Sequence, residues 1–296
     1  MTRSVFSTES MRPEFPTSCL TRTQATAFRR FLVFVFCAAF CAMAPAANDL
    51  RIGGDTATLG TLMQLREAYL RQEPEARITV FTTIGAGSGV NALVSGALDV
   101  AIAAIDLTPE ERARVSAAEI ARMPFVFAVG RNSKVEDMTL AQLLEIYQGK
   151  TANWPDGSRI RLILRPASVS DTIVLKRLSS DWKKALEDLE AKPGMVVVAT
   201  AQEAADRIEK TPGALTTLTA NLIVTEKRAV KTLRIDGVAP SAKTVADGAY
   251  RYFEPMIIAT LPKPNPAAER FVAFVRSPTG RGMLLRSGHA VAIGTP

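Results

Sequence analysis

Leu50-Arg51-Ile52-Gly53-Gly54-Asp55-Thr56 carries a short extended run into two glycines, an acid and a hydroxyl residue. Leu59, Leu62, Met63, Leu65 and Tyr69 then recur at helical spacing and stop before Pro74. The passage reads as strand, tight turn, helix, and the same order returns twice. Ile78 to Ile84, with β-branched Val80 and Thr82, enters Gly85-Ala86-Gly87-Ser88-Gly89 and a short helix marked by Val90, Leu93 and Val94. Arg159 to Arg165 alternates charged and apolar residues and enters Ser168-Val169-Ser170-Asp171-Thr172. Ile173, Leu175, Leu178, Trp182, Leu186 and Leu189 continue that third unit near helical spacing. A helix start carries unpaired backbone N–H groups and the positive end of the helix dipole, so it attracts anions. Three such turns point to one oxyanion held from several sides, provided that they meet in space.

The rest of the chain keeps the alternation. Asp99 to Ile105 is almost wholly apolar, as a strand buried on both faces would be. Phe125–Val129, Met195–Ala199 and Lys231–Ile235 read as strands. Leu140–Tyr147, Ala204–Ile208, Phe271–Val275 and Met283–Leu285 read as helical. Strands alternating with helices give an α/β class with mainly parallel sheets and right-handed crossovers.

Composition sets the outer limits. The chain has 296 residues, 47% hydrophobic and 22% charged, room for one large domain or two small ones. Arg22, Arg29 and Arg30 precede the apolar run Phe31–Cys41 and the small residues Ala44-Pro45-Ala46-Ala47. That is the layout of a cleavable signal peptide over residues 1–47, and the apolar run is short for a membrane span. An export leader implies a periplasmic destination. Cys19, Cys37 and Cys41 all fall inside it, so the mature chain would hold no cysteine. Residues 1–47 contain five Arg and two Glu, a net +3 of the chain's +7, which leaves +4. No Lys/Arg run exceeds two residues and aromatics are not interleaved with them, so a nucleic-acid partner is not expected. Mild positive charge suits a small anion instead. With one histidine, His289, and no mature cysteine, neither a metal nor another cofactor is expected.

Several segments fall in a familiar order: Gly53–Thr56, Gly85–Gly89, Gly96–Asp99, Leu107–Glu111, Leu140–Lys150 with Asn153-Trp154, Thr211–Ala214, Arg234–Ser241 and Gly248–Tyr250. In them the chain resembles the type II periplasmic solute-binding proteins of the phosphate-binding kind, which serve ABC transporters. The resemblance implies two α/β lobes joined by two hinge crossings, with the ligand between them. Lobe 1 would be residues 48–130 and 231–296, and lobe 2 residues 131–230, with crossings near Val129–Arg131 and Val230-Lys231. It also implies a monomer without enzymatic activity that delivers a small oxyanion, phosphate first, to an inner-membrane permease. The alternative of the same fold is a receptor that reports a different ligand to a membrane sensor.

Candidate ligand residues follow the turns. Thr56 and Thr58 open the first helix, with simple capping as the competing role. The second turn lacks the glycine spacing of a dinucleotide fingerprint and the Gly-x-Ser-x-Gly of a nucleophile elbow. By the resemblance, a serine of this turn binds phosphate; Ala86 and Ser88 are the two places it could fall. In the third unit the resemblance points to Arg165, Ser168, Ser170, Asp171 and Thr172, with Asp171 where the family has Gly. A guanidinium can fork two oxyanion oxygens, or Arg165 could instead pair with Asp171. Phosphate binders of the family usually carry an Asp or Arg just beyond the strand equivalent to Asp99–Ile105. Here that stretch is apolar up to Asp106, so either Asp171 or Asp106 supplies the acceptor for a ligand proton, or no residue does and the ligand is not phosphate. A hydrolase built on Ser88 and His289 is the remaining, enzymatic alternative.

Overall fold

The computed structural model describes residues 49–81 and 88–291; the signal-peptide reading of 1–47 and the candidate Ala86 lie outside these residues. Strand β1 (Asp49–Gly54) enters a 3-10 turn, Thr56–Thr58, and helix α1 (Leu59–Gln72). Next come β2 (Arg77–Phe81), α2 (Ser88–Val94), β3 (Val100–Ala103) and α3 (Pro109–Arg112). The long strand β4 (Ser116–Gly130) leads to β5 (Asp137–Met138), α4 (Leu140–Tyr147) and β6 (Arg161–Leu164). Helices α5 (Ser170–Leu178) and α6 (Ser180–Glu190) precede β7 (Val196–Val197), α7 (Ala201–Lys210), β8 (Ala214–Thr219) and α8 (Ala220–Glu226). The chain closes with β9 (Val230–Thr232), β10 (Arg234–Ile235), α9 (Ala242–Ala246), β11 (Phe253–Thr260), α10 (Pro266–Arg276) and α11 (Pro278–Arg286).

Local chemistry places several of these starts. Thr108/Glu111, Thr139/Gln142 and Thr200/Glu203 form reciprocal capping boxes at α3, α4 and α7. The apolar period that reads as one helix from Ile173 to Leu189 is two. Ser179 takes an extended backbone between α5 and α6, and its hydroxyl accepts from Trp182 N. The cap is stronger than the continuity of the pattern.

The main sheet runs β2-β1-β3-β11-β4-β8-β6-β7, with β9 also beside β4. The fold class is α/β as expected, but the sheet is mixed. Its flanks are parallel (β1 with β2 and β3, β6 with β7 and β8) and its centre is antiparallel, where β4 and β11 run. β4 changes partners along its length: Ser116–Pro124 pair with β11, and Phe125–Val129 pair with β8. The segments expected to cross lie side by side, Gly130 against Val230 and Val129 against Lys231.

Two sets of buried side chains sit on either side of that change. Leu50, Ile52, Leu62, Met123, Met256 and Phe271 belong to one. Phe125, Phe127, Tyr147, Trp182, Leu215 and Tyr250 belong to the other, where the rings of Tyr147 and Trp182 lie 5.0 Å apart. Tyr250 donates to the Phe125 carbonyl at 2.7 Å, fixing the point where β4 passes from one core to the other. Open α/β sheets bind ligands outside the carboxyl ends of their strands, which is where Asp55 follows β1 and Arg165 follows β6.

Candidate functional site

Gly54 brings the first turn close to its neighbours: a Cβ there would lie 3.1 Å from Thr58 Oγ1 and 3.2 Å from Ile102 Cβ. Asp55 follows, buried, with its carboxylate accepting from Ala57 N at 2.9 Å and so capping the 3-10 turn. Thr58 is buried, and its hydroxyl and N–H both donate to the Asp55 carbonyl, at 2.8 and 3.0 Å. Both donors are thus engaged within the turn, and the Thr58 side chain makes no capping hydrogen bond to α1. Thr56 is half-buried and its carbonyl accepts from Gln202 Nε2 of α7 at 3.3 Å.

Arg165 is the residue after β6 and is buried, with only 5% of its surface exposed. Its Nε and Nη1 are buried without a hydrogen-bond partner. It forms no ion pair with Asp171; Asp171 accepts from Thr217 Oγ1 of β8 at 3.3 Å instead. Thr172 donates to the Arg165 carbonyl at 3.2 Å, which ties the first turn of α5 to the end of β6. Ser170 and Asp171, the first two residues of α5, are buried, and the Ser170 hydroxyl has no partner. Ser168 is exposed, outside this buried group, and Ser88 is exposed at the start of α2. Asp106 is exposed and lies near Arg112 and Arg177, at 3.8 and 3.9 Å, so it is not the buried proton acceptor.

Glu254, the second residue of β11, completes the cluster, and the sequence pattern does not mark it. It is fully buried and neither carboxyl oxygen has a hydrogen-bond partner. Burial, then the Asp171 and Asp55 charges, hold its carboxyl well above the usual range. Asp55 is raised as well, mainly by burial; the Ala57 N–H and the Arg165 charge work against that and the Asp171 charge works with it. The Tyr147 hydroxyl is pushed up by burial and by the Asp171 charge. Three carboxyls and one guanidinium from β1, β6, α5 and β11 therefore converge. Thr219, two residues beyond Thr217 and on the same face of β8, adds another buried hydroxyl without a partner. Unpartnered buried donors of this kind, at the start of a nine-residue helix, are poised for an anion.

His289 does not join this cluster as a base for Ser88. It is buried, its Nε2 faces Thr61 Oγ1 at 3.4 Å and its Nδ1 faces the Leu284 carbonyl at 3.1 Å. Burial lowers its pKa to about 4. Asn221 of α8 reaches the same place, donating from Nδ2 to the Ala57 carbonyl at 2.8 Å and to Thr61 at 3.4 Å. Asp99 is held by Arg51 and by Asn265 at 2.9 Å. Among the described residues, no three His, Cys, Asp or Glu are arranged to hold a metal, and no helix is long and apolar enough to cross a membrane.

Buried and unpaired polar groups drawn from both halves of a mixed α/β sheet are suited to holding a small charged solute. The chain matches the PBP superfamily domain over residues 42–279 and belongs to that superfamily. It is 27% identical over 241 residues to the phosphate-binding protein PstS of Bacillus subtilis (strain 168), covering 78% of this chain and 76% of that one. Against PstS of Borreliella burgdorferi the identity is 23% over 246 residues, covering 80% and 88%. The fold is shared with a crystallised protein from Clostridium perfringens described as a phosphate ABC-transporter substrate-binding protein with bound phosphate. There the TM-score is 0.73 at 18% identity, over 83% of this chain and 100% of that one.

Proposed function

We propose that this protein is a periplasmic receptor for a small tetrahedral oxyanion, phosphate foremost, which it passes to an inner-membrane ABC permease. The observation that carries the reading is Arg165: a buried guanidinium with two unpartnered nitrogens, beside the unpartnered Ser170 hydroxyl and the start of α5. A guanidinium in a low-dielectric site is costly unless an anion completes it. The relatives of known name are phosphate-binding proteins, and that agrees with the chemistry of these donors. Arg165, Ser170, Thr172 and the α5 N–H groups would grip one side of the ligand, and Thr56 with the second turn, Ala86 to Ser88, the other.

No bond is broken in this reading, and the protein acts as a monomer. Ligand contacts from both lobes favour the closed arrangement over an open one. The four buried clusters suggest lobes of about residues 49–123 with 254–291, Ala290 apart, and 125–253. Isothermal titration of the leader-free protein with phosphate, sulfate, molybdate and tungstate tests the proposal. Saturable heat with one of them is expected; no heat at millimolar concentration of any would overturn it.

A further inference from the structure

Thr219 ends β8 in extended backbone and immediately precedes α8, yet its hydroxyl caps nothing. The comparable hydroxyls of Thr108, Thr139, Ser179, Thr200, Ser241 and Ser277 each accept from a backbone N–H of the helix they precede. Thr219 is 1% exposed, and its Oγ1 has no hydrogen-bond partner. A buried hydroxyl left unpaired costs stability, so it calls for a partner that the chain itself does not supply.

The neighbours of Thr219 fix where that hydroxyl lies. Thr217 and Thr219 stand opposite Phe127 and Phe125 of β4 and share one face of the sheet. On that face Thr217 donates to Asp171, in the first turn of α5, at 3.3 Å. Ser170, next to Asp171, carries a second buried hydroxyl without a partner. β6 runs parallel to β8 with Leu162 beside Leu215, so the same register carries Arg165 to the level of Leu218, one residue short of Thr219. Two residues past Thr219, Asn221 donates from Nδ2 to the Ala57 carbonyl at 2.8 Å, inside the turn that follows Asp55. The passage Thr217–Asn221 is thus tied at one end to the start of α5 and at the other to the first turn, with the free hydroxyl between the two ties.

We propose that Thr219 is a further ligand-binding residue, which gives its hydroxyl to the oxyanion, and that Thr217 and Asn221 are the positioning residues that hold it there. The proposal rests on the oxyanion reading of the same site and deepens it: β8 meets the ligand alongside Arg165 and Ser170. A hydroxyl donates to a charged oxygen and accepts from a protonated one, so Thr219 serves phosphate in either of its neutral-pH ionisation states.

The test is isothermal titration with inorganic phosphate, together with thermal melts of the ligand-free proteins, on the wild type, Thr219→Val and Thr219→Ser. Valine keeps the shape and loses the hydroxyl; serine keeps the hydroxyl. A lost hydrogen bond to a charged group should raise Kd roughly 10- to 150-fold in Thr219→Val. Thr219→Ser should bind much as the wild type does. Ligand-free Thr219→Val should melt no lower than the wild type, because the hydroxyl it loses has no partner there. Unchanged affinity in Thr219→Val would overturn the role of Thr219 and leave the oxyanion reading standing, and so would an equal loss in Thr219→Val and Thr219→Ser. No heat from the wild type with phosphate, sulfate, molybdate or tungstate would overturn both. Should Thr219→Val not fold, Thr219→Ala takes its place: weaker binding than Thr219→Ser supports the proposal, and equal binding overturns it.

Discussion

Gly60 lies in the first turn of α1, and a Cβ built there would overlap the Thr225 hydroxyl of α8 and approach its Cβ to 3.0 Å. Helix α1 packs in one core and α8 in another, so the substitution Gly60→Ala inserts a wedge where the two meet. Overpacking a tight contact costs about 1–3 kcal/mol. If the contact exists only when the lobes are shut, that cost falls on the ligand-bound state alone, and phosphate affinity drops by roughly 5- to 150-fold. The ligand-free protein should keep its melting temperature or gain slightly, since alanine is the better helix residue. Small-angle scattering should show the phosphate-saturated variant more extended than the wild type. Thr225→Ala removes the overlapping hydroxyl and should restore part of the affinity in the double variant. Unchanged affinity together with a melting temperature several degrees lower without ligand would refute the reasoning, because the contact would then be permanent.

Further outcomes follow from the buried charges. Arg165→Met removes two charge-assisted donors worth about 1.5–3 kcal/mol each, so titration should show phosphate affinity down by about two orders of magnitude or more. His289, held near 4 in the fold against an ordinary 6.5, refuses a proton that the unfolded chain accepts. Stability is therefore full above about 6.5 and is lost as pH falls toward 4, by at most about 3 kcal/mol; denaturant titrations should find this slope flattened in His289→Gln. For Glu254 the sign is opposite, because the folded carboxyl keeps a proton that the unfolded one gives up above its ordinary 4.5. Stability then declines as pH rises from there, so ligand-free Glu254→Gln should melt higher than the wild type at neutral pH.

What the sequence reveals and what it hides divide along physical lines. Helix α4 is legible to the residue, because Thr139 and Gln142 close a capping box ahead of a clean apolar stripe. β3 is legible as a continuous apolar run, and the turn-to-helix passages at Asp55 and Ser170 supply two parts of the buried polar cluster. β11 is not. It opens with Phe253-Glu254-Pro255, and an acid and a proline argue against a central strand, yet it lies between β3 and β4. Pro255 is tolerated beside a bulge, where the register with β4 shifts between Met256 and Ile257. Missing β11 means missing Glu254, and with it the acid that faces the cluster. The one signal available was a lone carboxylate followed by the apolar run Met256-Ile257-Ile258-Ala259. Arg165 is legible through the family resemblance and its place at a strand end, but its freedom from Asp171 is a tertiary fact: Thr217, 46 residues from Asp171, donates to that acid.

The change of partners along β4 has a consequence for how the protein can be divided. Its first nine residues complete one half of the sheet beside β11, and the rest complete the other beside β8. Neither half owns the strand. A cut at Pro124–Phe125 would leave each part of the strand with its own partner and break only the covalent link between the halves. Evolution can retune either wall of such a receptor by point changes, but exchanging one wall for another protein's would require rewriting the strand that both are built upon.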